Sequence, residues 1–167
     1  TAFTTALVYS GLDTTKFLFR GFLPRENKDR KSVVGELLNC QETLIFYEAP
    51  HRLLDTLQFL LDTFGDRKIA VCRELTKLYE QIFRGQLSEA LNYFIENKPR
   101  GEFVIVLEGK QLEEIKQEKR DSWIDLSIEE HILKYMNNGI SKKEAIKMVA
   151  KDRELPKNEV YKYSTNL

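Results

Sequence analysis

Three groups of charged residues occupy the points where apolar, strand-like segments of this sequence end. These groups are Glu48 with His51 and Arg52, Arg73 to Lys77 with Glu80, and Arg20 with Arg25. A carboxylate or an imidazole in such a place can take a proton from a hydroxyl group, and arginine or lysine can hold a phosphate. Ligands of open α/β sheets bind beyond the carboxyl ends of the strands, so each group is a candidate site.

The first group lies in the run "LIFYEAPHR", residues 44–52. Glu48 ends the apolar segment, and Pro50 is placed to begin a helix with His51 and Arg52 in its first turn. A cation there opposes the helix dipole by about 0.3–1 kcal/mol, and such a local conflict is expected at functional sites. The alternative is a structural one, in which Arg52 pairs with Glu48 across the turn.

The second group, "RELTK", follows another apolar strand and could present backbone amides and Thr76 to a polar ligand. A salt bridge between strand and loop is the alternative. Glycosidase chemistry would need two of Glu48, Glu74 and Glu102 at a set separation, and the arginines among them favour ion pairing instead. The sequence contains no P-loop, dinucleotide-binding glycine motif, zinc-ligand spacing or nucleophile elbow.

The composition fits one well-packed core, since 42% of the 167 residues are hydrophobic. The 26 basic and 26 acidic residues cancel, so no overall field points to a nucleic acid or a membrane. Cys40 and Cys72 have no metal-ligand spacing, and no apolar run reaches the length of a membrane span. We therefore predict free thiols, a cytoplasmic location, no metal and no membrane partner.

Strands and helices are predicted to alternate over residues 1–109, which indicates an α/β domain that ends near Gly109. The predicted strands are 16–24, 42–48, 67–75, 79–87 and 101–109, and the predicted helices are 2–10, 25–39, 50–65 and 88–98. Continuous apolar residues in 42–48 predict a strand that is buried on both faces. Gly65 is predicted to end a helix, and Ser88 is predicted to cap the next one.

The remaining residues pattern only as helices. Residues 110–122 form a charged linker or exposed helix, and 123–167 form a three-helix, helix-turn-helix-like extension. Ser127 and Glu130 are spaced as a capping box, and His131 is expected to pack and not to bind a ligand. From Lys110 onward there are 12 basic and 11 acidic residues, so RNA binding and protein packing are equally compatible with this extension.

The segments "FYEAPHR", "RELTKLYEQIFRG" and "RGEFVIVLEG", in this order and spacing, resemble the C-terminal half of the tetrapyrrole methylase superfamily. They are most similar to the branch that methylates the ribose 2′-oxygen of a cytidine in 16S rRNA. The resemblance implies S-adenosylmethionine as cofactor, the small ribosomal subunit as partner and a homodimer. It also implies that an N-terminal domain is absent from this chain, which would therefore be inactive alone, and that "TAFTTALVYSGL" joins the two domains.

The resemblance also assigns roles to individual residues. The cofactor-binding set is Thr1, Ala2, Glu48, Leu75, Thr76, Glu102 and Phe103. Glu48 stands where tetrapyrrole-modifying members carry a methionine, and a carboxylate suits a hydroxyl substrate. Glu48 and His51 are the candidates for the catalytic base or for orienting the ribose. The candidates for binding the phosphates of the substrate are Arg52, Arg73 and Lys77.

Two alternatives remain at the sequence level. The first is a tetrapyrrole methyltransferase acting on a porphyrinogen or corrin precursor, which would share the fold. The charged "YEAPHR" turn and the helical extension both disfavour it. The second is a non-catalytic interaction domain, which would describe the chain if it naturally begins at Thr1.

Overall fold

The computed structural model describes residues 2–75 and 79–165 and divides the chain into two compact units, 1–111 and 112–167. Thr1, Thr76 and Lys77, which the sequence places in the candidate site, lie outside the described residues. The division falls two residues beyond the domain end predicted at Gly109. Each unit is described by itself.

Unit 1 contains a five-stranded mixed sheet with the strand order β1-β2-β5-β3-β4. The strands are β1 Phe17–Phe22, β2 Thr43–Glu48, β3 Lys68–Arg73, β4 Gln81–Gln86 and β5 Phe103–Leu107. The helices are α1 Ala2–Ser10, α2 Asn27–Gly35, α3 Leu53–Phe64 and α4 Leu87–Glu96. Each element falls inside a segment predicted for that type, apart from Leu87 at the start of α4, so the predicted α/β fold class is confirmed.

Strand direction brings five strand ends to one edge of this sheet. β1 runs parallel to β2, β5 is antiparallel to both β2 and β3, and β4 is antiparallel to β3. The carboxyl ends of β1, β2 and β3 therefore meet the amino ends of β4 and β5. We call this edge the carboxyl edge; its end residues are Phe22, Glu48, Arg73, Gln81 and Phe103.

Helices cover both faces of the sheet. α1 packs with Ile45 and Cys72 on one face, in a small apolar cluster. The larger core on the other face combines α2, α3 and α4 with strand residues such as Phe46 and Ile105. All five residues of β5 are buried, and β2 has only Tyr47 partly exposed, as the continuous apolar pattern predicts.

Two helix termini were predicted from single residues. Gly65 follows α3 with φ 77°, a left-handed conformation that glycine adopts without strain, and its N–H donates to the carbonyl of Leu61. The cap predicted at Ser88 is wrong, because α4 begins one residue before it. Glu89 accepts the N–H of Gln86 at this helix start, and Ser88 donates its hydroxyl to Asp66.

Unit 2 consists of helices in the residues that the structure describes. They are α5 Leu112–Asp121, α6 Ile128–Asn137, α7 Lys142–Asp152 and α8 Lys157–Lys162. The charged segment 110–122 thus contains a helix, and none of its helical residues is buried. Ile132, Val149 and Val160 lie in the core of α6 to α8. The predicted capping box is confirmed, since Ser127 and Glu130 exchange hydrogen bonds at the start of α6.

His131 is a packing residue, as predicted, and only 1% of it is exposed. Its ring stacks with those of Trp123 and Tyr135, whose centroids are 5.0 and 5.3 Å away. Arg153 donates from Nε to Nδ1 at 3.2 Å, while Nε2 lies 3.6 Å from a carboxylate oxygen of Asp152. Burial, together with the charge of Arg153, lowers the pKa of His131 to about 4.

Unit 2 should therefore lose stability in acid. An unfolded histidine has a pKa near 6.5 and takes up a proton first, so the contribution of neutral His131 is complete above about pH 6.5 and is lost as the pH falls toward about 4. The full loss is about 3 kcal/mol. Urea unfolding followed by Trp123, the one tryptophan of the chain, measures this change. His131→Gln should flatten this part of the pH dependence. Equal slopes in wild type and His131→Gln would contradict the prediction.

Candidate active site at the carboxyl edge

A cavity of about 320 Å³ opens at the carboxyl edge. Its walls come from the start of α1, the ends of β1, β2 and β3, and the start of β5. The lining residues are Ala2, Phe22, Tyr47, Cys72, Arg73, Glu74, Leu75, Glu102, Phe103 and Val104. The cavity lies within the size range of small-molecule sites, which begins at about 300 Å³.

The cavity brings together residues that are distant in sequence. Of the predicted cofactor-binding residues, Ala2, Leu75, Glu102 and Phe103 line it. Arg73, predicted to bind substrate, lines it as well. The antiparallel direction of β5 explains why a residue before this strand joins residues that follow β3.

The lining combines apolar groups, two acidic residues and one basic residue, Arg73. Phe22, Tyr47 and Leu75 supply aromatic and aliphatic surface, while Glu74 and Glu102 supply carboxylates. The Cys72 thiol stays protonated at neutral pH because burial raises its pKa to about 11. Such a cavity can pack an apolar ring, accept hydrogen bonds from hydroxyl groups and favour a positively charged ligand.

Glu74 holds an unusual backbone conformation at this site, with φ 47° in the left-handed region. Its carboxylate lies against Gly101 in the loop before β5. A Cβ added at Gly101 would come 2.9 Å from Glu74 Oε1, and Gly101 itself has φ +77°. The absence of a side chain at Gly101 therefore allows the two loops that border the cavity to approach each other.

Glu48 is placed differently from the residues that line this cavity. It is completely buried, on the same face of β2 as Phe46. Its two oxygens accept hydrogen bonds from Thr56 Oγ1 at 2.6 Å and from the Ala49 N–H at 2.8 Å. Glu48 does not line the cavity, so its predicted contact with the cofactor stays a prediction.

Arg52 joins Glu48 to the preceding loop. Its Nε lies 3.6 Å from Glu48 Oε1, and Nη2 donates to the carbonyls of Leu23 and Pro24 at 3.0 and 3.2 Å. The structure thus contains the ion pair that was the alternative for this motif. Only 16% of the Arg52 side chain is exposed in this ion pair, whereas the neighbouring His51 is exposed.

The other charged groups are placed differently. Arg73 reaches the cavity, whereas Arg20 instead lies 3.7 Å from Glu36. Arg25 is exposed and does not line the cavity. Among the three carboxylates compared in the sequence, Glu74 and Glu102 share the cavity and Glu48 does not.

Sequence reasoning missed four residues that line the cavity, Phe22, Tyr47, Cys72 and Val104, and it also missed Thr56. Phe22 and Tyr47 line the cavity, and strand alternation places Tyr47 opposite the buried Phe46. That alternation was the available signal. Thr56 lies two turns into the 50–65 helical segment, and no local pattern marks it as the partner of Glu48.

Residues 2–75 and 79–165 hold no group of three or more His, Cys, Asp or Glu side chains suited to a metal ion. In the same residues, no helix has the length and apolar character needed to cross a membrane.

The chain belongs to the family described as Tetrapyrrole (Corrin/Porphyrin) Methylases, which matches residues 1–91. Similar curated proteins carry the name ribosomal RNA small subunit methyltransferase I. The Bacillus subtilis protein is 48% identical over 157 residues, 94% of this chain and 53% of the relative. The Synechocystis sp. protein is 39% identical over 168 residues, 100% of this chain and 58% of the relative.

The chain spans about half the length of the curated relatives it matches. A solved structure titled "Crystal structure of the methyltransferase CobJ" aligns with a TM-score of 0.47 and 17% identity. It covers 65% of this chain and 48% of that chain.

Thr56→Val tests the buried hydrogen bond to Glu48. The substitution keeps the side-chain volume and removes the donor, so we expect a loss of about 1–3 kcal/mol in unfolding free energy. Thr63→Val is the matched control on α3, because its hydroxyl donates only to the Phe59 carbonyl. Urea unfolding followed by far-UV circular dichroism compares the two variants. Equal midpoints would show that the Thr56 bond does not stabilise the carboxylate.

Proposed function

We propose that this chain forms part of an S-adenosylmethionine-dependent methyltransferase that methylates the ribose 2′-hydroxyl of a cytidine in 16S rRNA. The observation that carries the proposal is the convergence of Ala2, Arg73, Leu75, Glu102 and Phe103 on one cavity at the carboxyl edge. The names of the curated relatives support methylation of small-subunit ribosomal RNA.

The lining of the cavity suits this cofactor. S-adenosylmethionine, when bound, supplies a methyl group carried on a positively charged sulfur. Leu75 and Tyr47 offer apolar surface for its adenine ring, and Glu102 and Glu74 offer acceptors for its ribose hydroxyls and a favourable field for its positive charge. Ala2 and Phe103 complete the wall, and Thr1 and Thr76 belong to the proposed set through the resemblance.

On the acceptor side, we assign different tasks to Glu48 and His51. A ribose hydroxyl must lose its proton as it attacks, and a positioned base promotes that loss. His51 is exposed beside the carboxyl edge, so its imidazole is available to a substrate hydroxyl. Glu48 is buried and fully hydrogen-bonded, so we propose that it fixes the turn that carries His51.

The cationic residues Arg73, Lys77 and Arg52 also have different proposed roles. Arg73 lines the cavity, and Arg73 and Lys77 are proposed to hold phosphates that flank the target nucleotide. Arg52 donates to two backbone carbonyls and is mostly buried. Its contribution to substrate binding is proposed to be indirect, through the loop at Leu23 and Pro24.

The remaining parts of the proposal concern partners and location. The small ribosomal subunit is the proposed partner and the cytoplasm the proposed location. A homodimer is also proposed, and it is supported by exposed apolar surface on the edge strand β1, where Phe17, Phe19 and Phe22 are 42%, 39% and 55% exposed.

The activity is tested on the full-length protein that carries this chain. It is incubated with methyl-labelled S-adenosylmethionine and either small ribosomal subunits or a porphyrinogen, and labelled nucleotides are mapped. We expect label on one ribose 2′-oxygen of 16S rRNA. Label on the macrocycle alone would support the tetrapyrrole alternative, and label on neither would favour a non-catalytic domain.

Two substitutions in the same protein distinguish the proposed base, His51, from Glu48, which is proposed to fix its position. His51→Gln should lower kcat by about a hundredfold or more, with little change in unfolding free energy, because an exposed base is removed. Glu48→Gln should lower the unfolding free energy and retain more of kcat. The reverse pattern, with turnover lost only in Glu48→Gln, would make Glu48 the base.

A further inference from the structure

A second cavity, of about 410 Å³, opens at the carboxyl edge beside the first. It lies between the start of β4 and the segment that joins α4 to β5. Its polar lining includes the amides of Gln81 and Asn97 and the cations Arg73, Lys98 and Arg100. Neither the sequence motifs nor the proposed methyl-transfer site accounts for this cavity.

The charge of the lining is strongly one-sided for a chain whose net charge is zero. Three cations face one carboxylate, that of Glu96. Among the residues that the structure describes, no carboxylate forms an ion pair with Lys98 or Arg100. The side chains of both are exposed, so they can meet an anion without first breaking an internal ion pair.

The end of α4 does not use these cations as caps. Asn97 donates both its backbone N–H and its side-chain Nδ2 to the carbonyl of Tyr93, each at 2.9 Å. The negative end of the helix dipole still faces the cavity, and Lys98 and Arg100 follow directly in the chain. The C-terminal end of a helix carries the equivalent of about half a negative charge, which does not account for three cations in one lining.

Arg73 connects the second cavity with the first, since it lines both. Its Nη1 donates to the carbonyl of Arg100 at 3.3 Å. Its Nε is buried, and within residues 2–75 and 79–165 it has no hydrogen-bond partner. A buried N–H without a partner is costly, so the described residues do not satisfy the whole guanidinium of Arg73.

We propose that this second cavity binds the phosphodiester backbone of the RNA substrate, one or a few nucleotides from the methylated ribose. The inference rests on the proposed function. Guanidinium and ammonium groups with amide donors suit phosphate oxygens, and the shared Arg73 places the backbone beside the methyl-transfer cavity. Lys98 and Arg100 are then substrate-binding residues.

The experiment uses the full-length protein with Lys98→Ala and Arg100→Ala as separate variants. Lys68→Ala is the matched control, because Lys68 lies at the other end of β3 from Arg73 and its side chain is 63% exposed. Binding of a 16S rRNA fragment is measured between about 50 and 200 mM salt. Each cavity variant should reduce the slope of log K against log salt by about 0.7, the value for one phosphate contact on a single strand.

Kinetics with the same variants provide the second measurement. The KM for RNA should rise several-fold in Lys98→Ala and Arg100→Ala, and kcat at saturating RNA should stay at the wild-type value. Wild-type slopes and wild-type KM in both variants would overturn the cavity assignment while rRNA methylation by the unmodified protein upheld the proposed function. Methylation of a macrocycle alone by the unmodified protein would overturn both.

Discussion

The central position of β5 is the constraint on which the rest of unit 1 depends. β5 lies between β2 and β3, antiparallel to both, and every residue in it is buried. Because β5 runs antiparallel to β2 and β3, the loop before Phe103 lies at the edge where those two strands end. Both cavities are lined by residues of that loop and by Arg73 at the end of β3. A parallel β5 would carry Glu102 and Arg100 to the opposite edge of the sheet.

A buried carboxylate also stabilises this edge. Glu48 has no contact with solvent, and a buried charge is tolerated only when it is paired and hydrogen-bonded. Thr56, the Ala49 N–H and Arg52 meet that requirement. Since Arg52 also holds the carbonyls of Leu23 and Pro24, one carboxylate indirectly fixes the loops after β1 and β2. A base carried on that turn would thereby gain a defined position.

Charge in this molecule is organised locally. The chain has equal numbers of acidic and basic residues, yet two neighbouring cavities have linings of opposite charge. Glu74 and Glu102 line the first, which suits a cationic cofactor, and Lys98 and Arg100 line the second, which suits phosphate. Arg73 borders both. Such a separation suits the proposed function, because a sulfonium cofactor and an RNA backbone carry opposite charges.

The sequence by itself determined the element order, because apolar periodicity, Gly65 and the Ser127–Glu130 pair are local signals. It also determined the family, through three motifs at matching spacing. Only the tertiary structure decided which charged residues meet. Glu102 lines the cavity and Glu48 does not, although both lie at strand ends, because the carboxylate of Glu48 is buried against Thr56 and Arg52. Packing between elements also makes Thr56 the hydrogen-bond partner of Glu48. Such partners leave no pattern in the local sequence, because they depend on how the elements pack.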